Sequence, residues 1–583
     1  METDRKAYSN AWHTTPTSRC SFDRSTRKLG LPFRNVVTDF DQRIIKQILI
    51  DGDEELERCE KELNRLNAAI IVVQNRRATI QREMESYRAL LSPIQKIPPE
   101  ILTEVFMFCA EDIDYPDTME DMMTISMVCG RWRELALSVP ALWSHIYLCL
   151  GVVPRDTGNY YPALRRYVET FLERSGNAPL TFTLSWDQAE SGNLDMSVDE
   201  VSVTSIFDAL RTNSSRVRAL RLNVLTSIDD DRILKRLKAS YPSLEYLDFS
   251  FLYRGASQQS TDIDFFGGVS ALRSLSYRCY AGWRVRLHFP WQQLNRLAIE
   301  DARSQELLPI LAMCDNLRQL EITDLNDDPE EGMQGGQQIL PNLQLLAIST
   351  SDEDALSAVL RHLTVPRLES IKIRGLWSNF YSEQKVWTLA SVRDLLTRSR
   401  CPVTSIELER VILLEYDTMS LLDLMPKLRS IKIVEVLAFD DRKGRPKLFE
   451  DRQNYIVTPS FLQLLSSGPP TRTSSSSFLP KLKDIALFIH RNGLDEASLV
   501  HAIASRCDGH GRTGHMSNTI SGTDSCFELL ESAEIRLLNF NEESGALDGI
   551  SMLECFKDAG LRITLGNCSC YDLLTIRRPV GFR

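Results

Sequence analysis

The sequence predicts an α/β repeat protein, in which an N-terminal heptad helix and a small all-α unit precede an irregular solenoid of strand–helix repeats. Three observations support this prediction. Apolar residues recur at heptad spacing between Leu56 and Leu91, two apolar helical segments flank an acidic stretch within residues 97–147, and a strand-like phrase recurs from Leu244 onward. At 583 residues the chain is too long for one compact core, since a domain commonly has about 150 residues.

The composition excludes several classes of protein. With 43% hydrophobic and 25% charged residues the chain is an ordinary globular one, and its net charge of -11 argues against a broad binder of nucleic-acid phosphates. No segment approaches the roughly 18 apolar residues of a membrane span. The 13 cysteines are scattered, and the N-terminus lacks the apolar core of a signal peptide. We therefore expect a cytoplasmic and/or nuclear protein with neither nucleic-acid nor membrane partners.

The N-terminal region divides into a tail and a helix. Residues 1–36 are polar and aperiodic, which predicts a disordered tail. Residues 37–91 are predicted to form a coiled-coil-like helix, because an apolar residue recurs every three or four positions apart from a break at Arg77. Such a seam needs a partner. Self-association with a second copy and packing on the same chain both stay open. The seam residues are Leu56, Cys59, Leu63, Leu66, Ile70, Val73, Ile80, Met84, Tyr87 and Leu91.

Residues 92–150 are predicted to form a small helical domain. Pro93 interrupts the heptad pattern, and Pro98 and Pro99 stand where a new helix can begin without losing N–H groups that it needs. Glu100 favours the positive end of that helix. The acidic stretch "EDIDYPDTMEDMM" predicts a loop, and "MMTISMVCGRWRELALS" predicts a single second helix. The apolar stripe of the first helix comprises Ile97, Ile101, Leu102, Val105, Phe106 and Phe108.

A repeat decides the architecture of the rest of the chain. The phrase apolar-x-x-apolar-x-apolar occurs as "LEYLDF", "LRSLSY", "LNRLAI", "LRQLEI", "LQLLAI" and "LESIKI", at intervals of 28, 22, 23, 26 and 25 residues between Leu244 and Leu368. Leucine-rich repeats have periods of about 20–29 residues. Helical segments such as "LASVRDLLTRS" lie between the phrases. We predict a leucine-rich-repeat-like solenoid over 151–490, with terminal repeats and a cap over 491–583.

The sequence shows no catalytic or cofactor motif. It lacks G-x-G-x-x-G, G-x-x-x-x-G-K-[ST] and H-E-x-x-H. Cys507, His510 and His515 lie in a Gly-rich stretch without the paired cysteines that a zinc site commonly has, so a loop is the better interpretation. We expect no enzyme activity, no cofactor and no metal.

The segment "IPPEILTEVF…SMVCGRWRELA…PALW" resembles an F-box. It departs from the family in a longer loop between its halves and in Met122 and Met123, which stand where leucines are usual. The wider layout resembles F-box proteins of mushroom-forming fungi. The matching residues are Ile97, Pro98, Glu100, Ile101, Leu102, Val105, Phe106, Ser126, Val128, Cys129, Trp132, Leu142 and Trp143.

This resemblance implies the substrate-recognition subunit of an SCF-type ubiquitin ligase. The box would bind a Skp-type adaptor and, through it, a cullin ligase, while the repeats would hold an unknown target protein. The alternative is an interaction scaffold with no ligase link, which uses the heptad helix and the repeats. The expected adaptor-binding residues are Ile97, Pro98, Glu100, Ile101, Leu102, Val105, Phe106, Val128, Cys129, Trp132 and Trp143.

Target contacts are expected from the strands of the repeats, at positions flanking the inward residues. These residues mix both signs of charge, so no class of ligand stands out. They are Arg221, Tyr246, Asp248, Arg278, Arg296, Glu300, Glu321, Lys372, Arg374, Glu407, Glu409 and Lys432.

Overall fold

The computed structural model describes residues 38–111, 118–150, 160–187, 200–225, 240–251, 261–263, 268–279, 285–287, 289–325, 336–351, 353–376, 386–435, 438–440, 445–447, 455–466, 478–490, 494–507, 528–539, 550–557 and 560–569. These residues belong to two units, one ending at Ile101 and the other beginning at Leu102.

The first unit is built on one long helix, α1 (Asp39–Leu90), of 52 residues. A capping box starts it: the Asp41 N–H donates to Thr38 Oγ1 at 3.3 Å, and the Thr38 N–H donates to the Asp41 carboxylate at 3.1 Å. A 3₁₀ turn, Pro93–Lys96, follows it. The structure confirms the long helix that the heptad pattern predicts. No residue of α1 is buried, and a partner for its seam stays a prediction.

The remaining α-helices of the described residues are short. They are α2 (Pro99–Glu111), α3 (Thr118–Val128), α4 (Gly130–Ser138), α5 (Tyr160–Arg174), α6 (Glu200–Thr212), α7 (Ser304–Leu311), α8 (Glu353–Leu360), α9 (Ala390–Ser399), α10 (Glu415–Leu422), α11 (Pro459–Ser466) and α12 (Glu496–Cys507).

The second unit is built on one parallel sheet, which has fourteen strands within the described residues. In sheet order these are β1 (His145–Cys149), β2 (Leu180–Asp187), β3 (Val217–Leu225), β4 (Tyr246–Phe251), β6 (Ser274–Cys279), β8 (Arg296–Glu300), β9 (Gln319–Leu325), β11 (Leu345–Thr350), β13 (Ser370–Gly375), β14 (Ser405–Glu409), β15 (Ser430–Val434), β18 (Asp484–His490), β19 (Ser532–Asn539) and β20 (Arg562–Ser569). In the described part of the chain, three two-stranded sheets pair β5 (Thr261–Ile263) with β7 (Val285–Leu287), β10 (Gln338–Ile339) with β12 (Leu363–Thr364), and β16 (Ala438–Asp440) with β17 (Arg445–Lys447).

The repeated phrase explains why these strands align. Its middle apolar residue meets its equivalent on each neighbouring strand, as Leu275 does with Leu247 and Leu297. Its last apolar residue does the same, as Ile348 does with Ile322 and Ile373. Because side chains alternate along a strand, both apolar columns share one buried face, and the residues between them lie on the other. The phrases therefore form one parallel sheet, consistent with an α/β repeat.

The structure differs from the sequence predictions in the helical unit and its borders. The predicted second helix is two helices, α3 and α4, since Cys129 between them has extended backbone. Strand β1 lies within 92–150, where the sequence predicts only helices. The tail 1–36 and most of the insertion 466–478 lie outside the described residues. None of the described helices is long and apolar enough to cross a bilayer.

Candidate functional site

Helices α2, α3 and α4 pack around a small apolar core. Leu102 and Phe106 of α2 are buried, as are Met122 of α3 and Ala136 of α4. Phe106 contacts Trp132 with ring centroids 4.9 Å apart in an edge-to-face geometry. Helix α3 packs against α4. A unit of this size buries only one apolar stripe of each helix, which leaves other apolar side chains outside.

The break between α3 and α4 comes from Cys129. Its extended backbone ends α3, and its Sγ accepts the Trp132 N–H at 3.5 Å, as the N-cap of α4. The sulfur therefore takes the place that a serine or threonine oxygen has at most helix starts. This arrangement positions Trp132 in the first turn of α4, against Phe106.

A second set of apolar side chains on these helices is exposed. The exposed fractions are 47% for Val105, 65% for Phe108, 68% for Met127 and 56% for Val128. We call these four residues the exposed apolar set. On α2 they are neighbours of the buried Leu102 and Phe106, so the helix has one apolar face toward the core and one toward solvent. Large apolar side chains exposed in this way make these helices a candidate protein-binding surface.

The structure distributes the predicted adaptor-binding residues over three environments. Leu102, Phe106 and Trp143 are buried, so the structure accounts for them as packing residues rather than accessible contacts. Cys129 and Trp132 are half-buried and serve the start of α4. Val105 and Val128 are exposed. In the first unit, Ile97 is half-buried, and the exposed ones are Pro98, Glu100 and Ile101.

Two members of the exposed apolar set are not among the predicted contacts. Phe108 belongs to the apolar stripe that the sequence predicts, with Ile101 and Val105, but it is not among the residues that match the F-box phrase. Met127 precedes the matched Val128, and no sequence signal separates it from a core methionine such as Met122. Exposure alone reveals it.

Trp143 attaches the helical unit to the start of the sheet. It is fully buried, and its Nε1 donates to the Ala136 carbonyl at 2.8 Å. Its ring lies 5.1 Å from that of Phe171 on α5, and the Arg174 guanidinium lies 4.3 Å above it. Arg174 also approaches Met123 Sδ at 3.9 Å. Strand β1 begins two residues later, so the helices and the sheet are joined through packed side chains as well as through the chain.

The predicted target-binding residues lie on the sheet face opposite the buried columns. Arg221 pairs in register with Asp248, and Glu321, Lys372, Glu407 and Lys432 continue the same column across later strands. Tyr246 and Arg296 belong to the column before it. Arg278, Glu300, Arg374 and Glu409 are in the column after it. The structure thus brings all twelve onto one face.

Many of these charges are paired across neighbouring strands. Glu409 accepts from Arg374 Nε at 2.6 Å and from Lys432 Nζ at 2.7 Å. Lys372 Nζ lies 2.9 Å from Glu407 Oε1. The Arg278 guanidinium forms an ion pair with the Glu300 carboxylate, and Arg296 Nη2 lies 3.5 Å from Glu321 Oε2. The face over β13–β15 is therefore a network of alternating charges.

Burial and pairing shift the carboxyl groups of this face in opposite directions. Burial raises the pKa of Asp248, although the positive charge of Arg221 opposes the change. Burial would also raise the pKa of Glu409, but the charges of Arg374 and Lys432 outweigh it and lower that pKa below its ordinary value. The Arg221 guanidinium lies 5.4 Å from the Tyr246 ring, and the Tyr246 hydroxyl donates to Asp248 at 3.4 Å.

The cysteines and histidines form no metal site among the residues that the structure describes. In that part of the chain, no three His, Cys, Asp or Glu side chains converge as a metal site requires. Of the three residues weighed as metal ligands from the sequence, His510 and His515 lie outside the described residues.

Comparison with known proteins identifies the helical unit. A family model described as F-box-like matches residues 94–149, the segment that carries α2, α3 and α4. The chain therefore contains an F-box-like domain. No curated protein matches the chain.

Proposed function

We propose that this protein is the substrate-recognition subunit of an SCF-type ubiquitin ligase, and that its F-box-like domain binds a Skp-type adaptor through the exposed apolar set. The observation that supports this most directly is the exposure of Val105 and Val128 inside the segment that matches the F-box-like family. Both are large apolar residues that the chain leaves uncovered. Docking on an adaptor would remove them from water.

The proposal assigns different roles to neighbouring residues. Phe106 and Trp143 hold the domain together, whereas Val105, Phe108, Met127 and Val128 meet the adaptor. Aromatic and methionine side chains are common at the centre of protein interfaces, as Phe108 and Met127 would be here. The adaptor would connect the chain to a cullin ligase.

The second binding activity that we propose is target binding. We propose that the exposed face of the sheet, over the charge network of Lys372, Arg374, Glu407, Glu409 and Lys432, holds the target protein. Since these charges are already paired, target charges would join an ordered network instead of meeting isolated ions. Repeat proteins commonly use such an extended face for binding. The chain would act by binding, in the cytoplasm and/or nucleus, and the bound ligase would perform the catalysis.

A pull-down with a purified Skp-type adaptor tests the first step. The variant carrying Val105→Asp and Val128→Asp is expected to lose adaptor binding by at least about tenfold, because two carboxylates would have to be desolvated in the interface. Its circular dichroism should match that of the parent, since both positions are exposed. Trp132→Ala is unsuitable, because that ring packs on Phe106.

A matched control lies in the repeats. Met313 is also an exposed apolar residue, and Met313→Asp should leave adaptor binding unchanged. A parent chain that is folded and does not bind any Skp-type adaptor would overturn the proposal. It would instead favour an interaction scaffold without a ligase link.

A further inference from the structure

Helix α1 carries an apolar seam whose side chains are exposed. Leu56, Leu63 and Ile70 are exposed, as are Val73 and Tyr87, and no residue of the helix is buried. At 1.5 Å per residue, the 52 residues extend for about 78 Å. A seam of this spacing is the contact surface of a two-helix coiled coil.

The two halves of α1 carry opposite charge. Residues 51–62 are strongly acidic, whereas residues 65–88 are basic. The acidic half holds Asp51, Asp53, Glu54, Glu55, Glu57, Glu60 and Glu62 against Arg58 and Lys61. The basic half holds Arg65, Arg76, Arg77, Arg82 and Arg88 against Glu83 and Glu85. This polarity distinguishes the two orientations in which a second copy of the helix could pack.

We propose that α1 pairs with α1 of a second copy in antiparallel orientation, with Arg77 opposite Cys59. In this register the apolar seam positions match: Leu56 faces Ile80, Leu63 faces Val73 and Leu66 faces Ile70. In the heptad, Leu56, Leu63 and Ile70 are at position a, and Leu66, Val73 and Ile80 are at position d. Each pair therefore joins an a position of one copy to a d position of the other, as an antiparallel coiled coil requires. The pairing is centred on Ala68, so the apolar segment 68–73 of one copy faces residues 63–68 of the other.

Charge decides the orientation. An in-register parallel pair would set Arg77 against Arg77 and the acidic half against itself, and both arrangements are repulsive. The antiparallel pair places Arg77 of each copy among Glu55, Glu60 and Glu62, which flank Cys59 of the other. The charged break in the seam, which weakens any parallel coil, becomes a specific contact. This pairing is independent of the proposed adaptor binding, which uses α2 and α3.

Oxidative cross-linking of the full-length chain tests the orientation directly. Disulfide formation needs Cα atoms within about 4.4–6.8 Å. In the antiparallel register the two Cys59 residues are about 27 Å apart along the axis, so the parent should form no Cys59–Cys59 bond. The Arg77→Cys variant should form an intermolecular disulfide between Cys59 of one copy and position 77 of the other, identified by mass spectrometry of the linked peptides. The same two positions within one helix are about 27 Å apart, so this bond reports on pairing alone.

The matched control moves the cysteine by one position. Ala78→Cys points away from the seam and should give little cross-link to Cys59. A Cys59–Cys59 bond would overturn the proposal in favour of a parallel pair. So would a chain that stays monomeric by light scattering at every accessible concentration.

Charge reversal provides a second measurement that needs no cysteine. Arg77→Glu should weaken dimerisation about tenfold, because it places a carboxylate among three others. Adding Glu60→Arg should restore most of the affinity. In a parallel pair positions 60 and 77 never meet, so absence of rescue would contradict the antiparallel register. Adaptor binding should be unchanged in both variants, which separates this result from the test of the proposed function.

Discussion

Arg506 donates a hydrogen bond from Nε to the carbonyl oxygen of Leu465 at 2.9 Å, which joins the last turn of α12 to the last turn of α11. Its Nη1 donates to the Leu479 carbonyl at 2.8 Å, and its side chain is buried. Arg398 of α9 does the same for α8, with Nη2 on the Leu360 carbonyl at 2.8 Å. A cation at a helix C-terminus satisfies carbonyls that have no intrahelical partner and favours the negative end of the dipole. In both pairs of successive helices an arginine therefore links one helix to the next.

Replacement of Arg506 should be much more damaging than replacement of Arg398. Arg506→Met leaves buried carbonyls without donors and should lower the free energy of unfolding by about 3 kcal/mol. Arg398 is exposed, so water can replace it, and Arg398→Met should cost about 1 kcal/mol. Urea unfolding followed by circular dichroism measures both. Equal losses of unfolding free energy in the two variants would contradict the view that burial makes Arg506 the more important arginine. Burial also lowers the pKa of Arg506, to about 10, and it stays charged at neutral pH.

Glu409 should make stability depend on pH. Its pKa is lowered in the folded chain, so its contribution is present above the unfolded value of about 4.3 and disappears as the pH falls through the folded value. Glu409→Gln should cost about 1–2 kcal/mol at pH 7. The difference from the parent should shrink on acidification below about pH 4. Denaturation midpoints across this range provide the measurement, and a difference that stays constant would argue against the ion pairs with Arg374 and Lys432.

Gly375 should tolerate no side chain. It ends β13, and a Cβ there would overlap the carbonyl oxygen of Arg410 beyond the adjacent strand β14. Gly375→Ala should therefore cost about 2 kcal/mol or more, because backbone has to move. Gly566 in β20 has no atom within 4 Å of the equivalent position, so Gly566→Ala should change stability by less than about 0.5 kcal/mol. Thermal unfolding of the two variants distinguishes a close strand contact from a general intolerance of alanine.

Trp143 should matter for stability, not for direct adaptor contact. Trp143→Ala removes the packing on Phe171 and the hydrogen bond to Ala136, and should cost about 3–5 kcal/mol. Hydrogen exchange should accelerate first in α4 and β1, which it joins. Phe108→Ala, a truncation of an exposed aromatic residue, should leave stability within about 0.5 kcal/mol. If Phe108→Ala were equally destabilising, its side chain would belong to the core.

The helical unit shows which features of the fold the residue pattern predicts and which it does not. The spacing of Ile101, Val105 and Phe108 predicts an apolar helix face, and α2 confirms the helix. The same pattern does not say which face turns inward, since Leu102 and Phe106 are apolar too. The pattern also gives no sign of the break at Cys129, because the residues there have no strong helix-breaking character apart from the glycine that follows. Only the N–H of the tryptophan in the next turn, donated to the Cys129 sulfur, explains why a new helix begins there.

The sequence by itself determined the local elements of this protein. Heptad spacing specified α1, and the repeated phrase specified six strands of the sheet between β4 and β13, because both patterns follow from the geometry of a single helix or strand. Tertiary structure alone decided which apolar residues are buried and which charges meet. Arg374 and Glu409 are 35 residues apart, and nothing near either predicts that parallel strands would bring them to 2.6 Å. Trp143 likewise became a core residue because α5 folds over it. Burial and ion pairing depend on neighbours that are distant along the chain. A local sequence pattern therefore does not predict them.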